Sequence, residues 1–187
     1  MRRPHQRGFT AIEMMVVVAL IGVILALGMP SFLSMFDRKR MENVANELSL
    51  DLQYARSEAV ARNANVTVTH FGTDCYVVHL SSAPPVSCPE TQPFPAGTLK
   101  VVRLPTGSKE TIAAPACGAS APAATEFDWV RGVPPPAPSG SSVSFSGDRQ
   151  AFVCSTAGPW QLRTTISGSG RVELCSPGGS FKGYRAC

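Results

Sequence analysis

Three patterns of apolar positions succeed one another along the chain. From Phe9 to Met29, FTAIEMMVVVALIGVILALGM, almost every one of 21 positions is apolar, and Glu13 is the single charge. As a helix rising about 1.5 Å per residue, this stretch covers roughly 30 Å, the hydrocarbon thickness of a bilayer. From Met41 the apolar residues recur at Met41, Ala45, Leu48, Leu52, Ala55 and Ala59, alternately four and three apart, which predicts the buried stripe of an amphipathic helix packed on a sheet. Arg40, Glu42, Glu47, Asp51, Arg56, Glu58 and Arg62 fall on other faces and read as a solvated surface. Pro30 predicts a kink or a melted turn around Gly28–Pro30 rather than a stop, because the helical period resumes beyond it. Asn63-Ala64-Asn65 ends the helix.

Beyond that point the period becomes two. Val66–Phe71 and Tyr76–Leu80 read as strands joined through Gly72-Thr73-Asp74. Leu99–Leu104, Ser142–Ser146, Ala151–Ser155, Gln161–Ile166 and Arg171–Cys175 are further strands, with turn signals at Gly147-Asp148 and Gly168-Ser169-Gly170. Ser81–Gly97 and Pro105–Ser141, rich in Pro, Ala, Ser and Gly, read as long surface loops. A long helix followed by an antiparallel sheet is an α+β arrangement. Four segments follow: 1–8 ahead of the apolar run, 9–29 the apolar helix, 30–62 its amphipathic continuation, and 63–187 a β-rich domain with Pro-rich loops.

Charge gives the apolar helix a direction. Arg2, Arg3 and Arg7 precede it, so the leader stays cytoplasmic and the remainder is exported. Without those three, 14 Lys/Arg face 13 Asp/Glu, and the remaining basic excess sits at the end, where Arg149, Arg163, Arg171, Lys182 and Arg185 oppose Glu173 alone. The cysteines, Cys75, Cys88, Cys117, Cys154, Cys175 and Cys187, all fall in the exported part. An even number there points to up to three disulfides, Cys88 and Cys117 pinning the long loops; six cysteines allow fifteen pairings, and spacing selects none. No C-x-x-C pair or cysteine–histidine spacing suggests a metal site, and no cofactor is expected. His70 and His79 sit in strand-like runs, where packing on opposite faces or exposure accounts for them, and no nucleophile–base spacing or phosphate-binding glycine loop points to an enzyme.

A secretory signal peptide would be shorter and end at a small-residue cleavage site, for which Ala26-Leu27-Gly28 is a loose match, but here the helix continues. A plain membrane anchor leaves Glu13 unexplained, since an intramembrane carboxylate costs about 2.5–3.5 kcal/mol on insertion scales. Arg7-Gly8-Phe9-Thr10-Ala11-Ile12-Glu13 resembles the processing site of type IV prepilins and type II secretion pseudopilins, with Ala11 where leucine is more usual. The resemblance implies a pilin fold, cleavage after Gly8 by prepilin peptidase, N-methylation of Phe9 and retention of the apolar helix. It also implies a single-pass inner-membrane precursor, its C-terminal domain exported, that passes into a surface pilus beside other pilin subunits. Glu13 of one subunit would neutralise the Phe9 ammonium of a neighbour and so set the axial register.

Asn46-Glu47-Leu48, Ala55-Arg56-Ser57-Glu58-Ala59, Arg62-Asn63 with Val66-Thr67-Val68, and the ending Ile166–Cys175 resemble the FimT/GspH group. That likeness implies a minor type IV pilin or a pseudopilin of type II secretion. Some FimT-like pilins bind DNA through a C-terminal G-R-x-R motif; Gly170-Arg171-Val172-Glu173 matches the first arginine and replaces the second with an acid. Arg171, with Arg163, Lys182 and Arg185, forms the DNA-binding candidate set against a plain turn and solvated edge strand.

Overall fold

The computed structural model describes residues 9–113, 116–118, 124–132, 149–179 and 181–187, leaving out the side chains of residues 27, 30, 31 and 149. The expected strand Ser142–Ser146 and turn Gly147-Asp148 lie outside the described residues. Two compact units divide the chain, Met1–Arg38 and Lys39–Cys187.

One helix, α1, runs from Ala11 to Arg62, 52 residues. It stays helical through Gly28–Pro30, so no melted turn interrupts it. A proline inside a helix removes one backbone donor at a cost near 3 kcal/mol, and long helical stretches on either side keep the chain in register across that defect. The C-terminal end is closed by backbone geometry. Asn63 adopts a left-handed conformation at φ 50°, and its N–H reaches the Val60 carbonyl at 3.4 Å. The Ala64 N–H donates to the Ala59 carbonyl at 3.2 Å, which completes a Schellman-type cap.

Among the described residues eight strands follow: β1 Val66–Phe71, β2 Cys75–Leu80, β3 Thr98–Arg103, β4 Glu110–Ala113, β5 Ala124–Phe127, β6 Arg149–Ser155, β7 Gln161–Ile166 and β8 Val172–Cys175. They form two four-stranded antiparallel sheets, β3-β2-β1-β5 and β4-β6-β7-β8, rather than one. Both β4 and β5 lie in the stretch Pro105–Ser141 that reads as loop from sequence. Each is four residues long and occupies a sheet edge, too short to show a period of two.

The predicted stripe is the heart of the second unit: Met41, Ala45, Leu48, Leu52, Ala55 and Ala59 are all fully buried. They pack with Val66, Val68, Tyr76 and Val78 of the first sheet and with Ile112, Val153, Leu162 and Ile166 of the second, so one helix face serves both sheets. Small alanines in the stripe let the strands approach the helix closely, while leucine and methionine fill the space between them. Three disulfides pin the periphery. Cys75 of β2 joins Cys88 in the loop beyond it, Cys117 joins Cys154 of β6, and Cys175 at the end of β8 joins the terminal Cys187.

Candidate functional site

Gly8 lies outside the described residues, and the description begins at the residue after it. Phe9 and Thr10 precede the helix, and Phe9 is exposed. Thr10 caps the helix: its Oγ1 accepts from the Glu13 N–H at 3.3 Å, and its carbonyl accepts from Glu13 at 3.1 Å and Met14 at 3.2 Å. A threonine cap with glutamate three residues on matches the capping-box spacing, and it places the carboxylate in the first turn, where the exposed backbone N–H groups favour negative charge. The S/T-x-x-E signal before an apolar run is present in the sequence at Thr10–Glu13, yet it goes unused when those residues are read only as a processing site.

From Phe9 to Phe36 every residue whose side chain is described is exposed, except Gly28, which is half-buried. A continuous apolar surface of that length needs lipid or other protein chains around it. Among the described residues no helix is long and apolar enough to cross a membrane; the apolar run Phe9–Met29 includes Leu27, whose side chain is outside the description.

Within the second unit, one helix charge departs from the expected solvated surface. Asp51 is buried: its carboxylate accepts from the Tyr76 hydroxyl at 2.8 Å and from Lys100 Nζ at 2.7 Å, with Glu47 3.4 Å from the same ammonium. Charge at a helical position says nothing about partners on a sheet formed later in the chain, and here those partners come from β2 and β3. Burial, reinforced by the Asp51 charge and hydrogen bond, pushes the Tyr76 phenol well above its ordinary value. Burial works against the Lys100 ammonium, but the hydrogen bond and charge of Asp51, with help from Glu47, outweigh it and raise the pKa. The Lys100 ammonium therefore stays charged at neutral pH and fastens sheet to helix.

Both strand histidines are buried, on opposite faces of the first sheet. His79 Nδ1 donates to the Leu80 carbonyl at 2.9 Å, which leaves Nε2, when neutral, to accept from the Thr69 hydroxyl at 2.9 Å. Among the described residues His70 Nδ1 has no partner, and burial pulls its imidazole down from 6.5 to about 4. The unfolded chain therefore binds a proton between those pH values that the folded chain refuses. The His70 contribution is intact above pH 6.5 and declines as pH falls towards about 4, by on the order of 1 kcal/mol per pH unit. Chemical denaturation at several pH values should show a shallower acid loss for His70→Phe than for the parent chain; parallel curves would contradict this.

The C-terminal cations are spread over the β7–β8 hairpin and the tail. Arg171, exposed at the turn, is paired with Glu173 at 2.9 Å, so the acid that breaks the second arginine of the motif also cancels the charge of the first. Arg163 lies with its guanidinium 6.0 Å from the centre of the Phe152 ring and donates to Gln150 at 3.4 Å. It is opposite Cys175, at least about 10 Å along the hairpin from the turn that carries Arg171. Lys182 and Arg185 are exposed in the tail closed by Cys175–Cys187. Helix residue Arg56 donates to the Gly170 carbonyl at 3.0 Å and so fixes the turn itself.

Residues 44–181 match the family described as Type II transport protein GspH, and residues 3–29 match the prokaryotic N-terminal methylation motif. The chain belongs to the GspH family. In fold it is similar to the type IV minor pilin FimU of Pseudomonas aeruginosa (strain PAO1), with a TM-score of 0.50 and 19% identity, covering 75% of this chain and 94% of that one. A second crystal form of FimU gives a TM-score of 0.48 at 19% identity, over 73% and 96% of the two chains. No curated protein matches the chain. As a GspH-family protein with a methylation motif, it is a type IV pilin-like α+β protein whose family and fold are those of filament subunits, not of enzymes. The motif implies processing by prepilin peptidase, and the family implies assembly with other pilins, at the inner membrane and then in a filament.

Proposed function

We propose that the chain is a minor type IV pilin, a structural or initiating subunit of a pilus. It is held in the inner membrane by a single pass of Phe9–Met29 until it is extracted into the filament. Prepilin peptidase cuts after Gly8 and the new Phe9 amine is methylated; Glu13 then sets the register against the Phe9 ammonium of a neighbouring subunit. The observation that carries this reading is the join at the helix start. The processing motif runs into the first turn of α1, where a threonine cap holds Glu13, and a long exposed apolar surface follows. The fold it has in common with FimU favours the pilus. The family description favours a second reading, a pseudopilin of type II secretion.

The two readings separate in cells. A pilus subunit is recovered with sheared surface filaments and is lost from that fraction when pilus assembly is disabled. Recovery that depends on a secretion apparatus instead would replace the first reading with the second. DNA capture at the tip is a further role the family suggests. It would rest on Arg171, whose charge Glu173 meets, together with Arg163, Lys182 and Arg185.

A further inference from the structure

A cavity of about 460 Å³ lies wholly within the second unit, lined by one turn of α1 and by the loop that leads from β3 to β4. Ligand pockets span about 300–1,000 Å³, so it has room for more than solvent. Val44, Leu104 and Pro105 give it apolar walls, and Arg40 and Glu110 are the charged residues of its lining. Alternation along β4 puts Glu110 on the face of Ile112, which shares the core with Met41 and Leu48 of α1, so the acid looks inward. Glu110 is 5% exposed. Among the described residues no hydrogen bond or ion pair reaches its carboxylate; Ser108 Oγ donates to its backbone carbonyl instead, at 3.2 Å. Arg40 is exposed, and among the described residues no ion pair joins it to Glu110. The frame is tied by its own backbone. The Leu104 N–H donates to the Asp74 carbonyl at 2.7 Å, and the Ser108 N–H to the Pro105 carbonyl at 3.0 Å.

We infer that this cavity receives a lysine or arginine side chain of another protein, with an acidic residue beside it that meets Arg40. A carboxylate withdrawn from water is costly unless a cation or hydrogen-bond donors meet it, and the fold itself brings none to Glu110. The apolar stem of a long basic side chain suits Val44, Leu104 and Pro105, while its charged head reaches the acid. Both charges of the lining are then matched, and such complementarity excludes wrong partners. A metal ion suits the site less well. Calcium takes about six to eight oxygen ligands, and among the described residues no three His, Cys, Asp or Glu side chains come together to hold a metal. A phosphate or nucleic acid would meet the Glu110 charge with its own. The inference does not depend on which filament the chain serves.

The test titrates the full chain, purified in an uncharged detergent and labelled on its valine and leucine methyl groups, with end-blocked dipeptides at millimolar concentration. Lysyl-aspartate should move the methyl resonances of Val44 and Leu104 saturably. Norleucyl-aspartate, which keeps the stem and lacks the amine, should bind at least about tenfold more weakly, and Glu110→Gln should weaken lysyl-aspartate as much. Arg40→Gln should cost about two- to threefold with lysyl-aspartate and nothing with lysyl-asparagine. No saturable shift, equal binding of the norleucine probe, or unchanged binding to Glu110→Gln would each overturn the inference. Equal losses with the aspartate and asparagine probes would overturn the role given to Arg40. Spermidine binding as tightly as lysyl-aspartate would make this a site for free polyamines and overturn the protein partner. If Glu110→Gln fails to form its three disulfides, the comparison of lysine and norleucine probes on the parent chain decides.

Discussion

Phe181→Ala is expected to cost about 3–5 kcal/mol of stability, a large part of the 5–15 kcal/mol that holds a typical domain together. Phe181 is 1% exposed and shares one core with Met41, Leu48 and Leu162, although it lies only six residues before Cys187. Several contacts converge to hold it there. Its N–H donates to Ser176 Oγ at 2.9 Å, and its ring meets Tyr184 edge to face at 5.5 Å. The Tyr184 hydroxyl in turn donates to Glu42 on α1 at 3.1 Å, and Cys175–Cys187 closes the loop around it. Burial, with the Glu42 hydrogen bond and charge, raises the Tyr184 pKa, so this link persists through neutral pH. The tail is therefore a structural clasp, and the cavity left by alanine would open beneath it. Denaturant unfolding of the mature chain in detergent should show the loss, and Phe181→Leu should recover most of it. A cost below about 1 kcal/mol for the alanine variant would mean that the tail only lies on the surface.

Glu13→Ala is expected to reduce incorporation into filaments at least about tenfold, because it leaves the Phe9 ammonium unpaired in an apolar bundle. The substitution discriminates well because the helix start survives it. Thr10 accepts from the backbone N–H of residue 13, which alanine keeps. Membrane insertion should be as good as in the parent or better, since an intramembrane carboxylate is removed. A defect confined to assembly, with insertion and cleavage intact, would follow from the register role. Incorporation equal to that of the parent chain would contradict it.

How much of this was legible in the sequence depends on the range of the interaction. The buried stripe from Met41 to Ala59 was readable position by position, because helix periodicity is local and a wrong face would bury charge. Strands β1, β2, β3, β6, β7 and β8 showed themselves by alternation and by their turns, within a residue or two at the ends. By contrast, β4 and β5 are too short to alternate, and pairing with β6 and β1 is what makes them strands. Asp51 read as solvated because its partners, Tyr76 and Lys100, are 25 and 49 residues away. Cysteine pairing likewise depends on where loops fold back, which spacing does not encode. Thr10 is the opposite case: its capping signal is local and readable, but a stronger motif overlies it.

The mass of the mature N-terminal peptide tests the central claim most directly. A chain that starts at Phe9 and carries one methyl group on its amine, with the whole apolar helix retained behind it, is the predicted result. A chain that starts at Met1, or one cut beyond the apolar run near Gly28, would contradict the account.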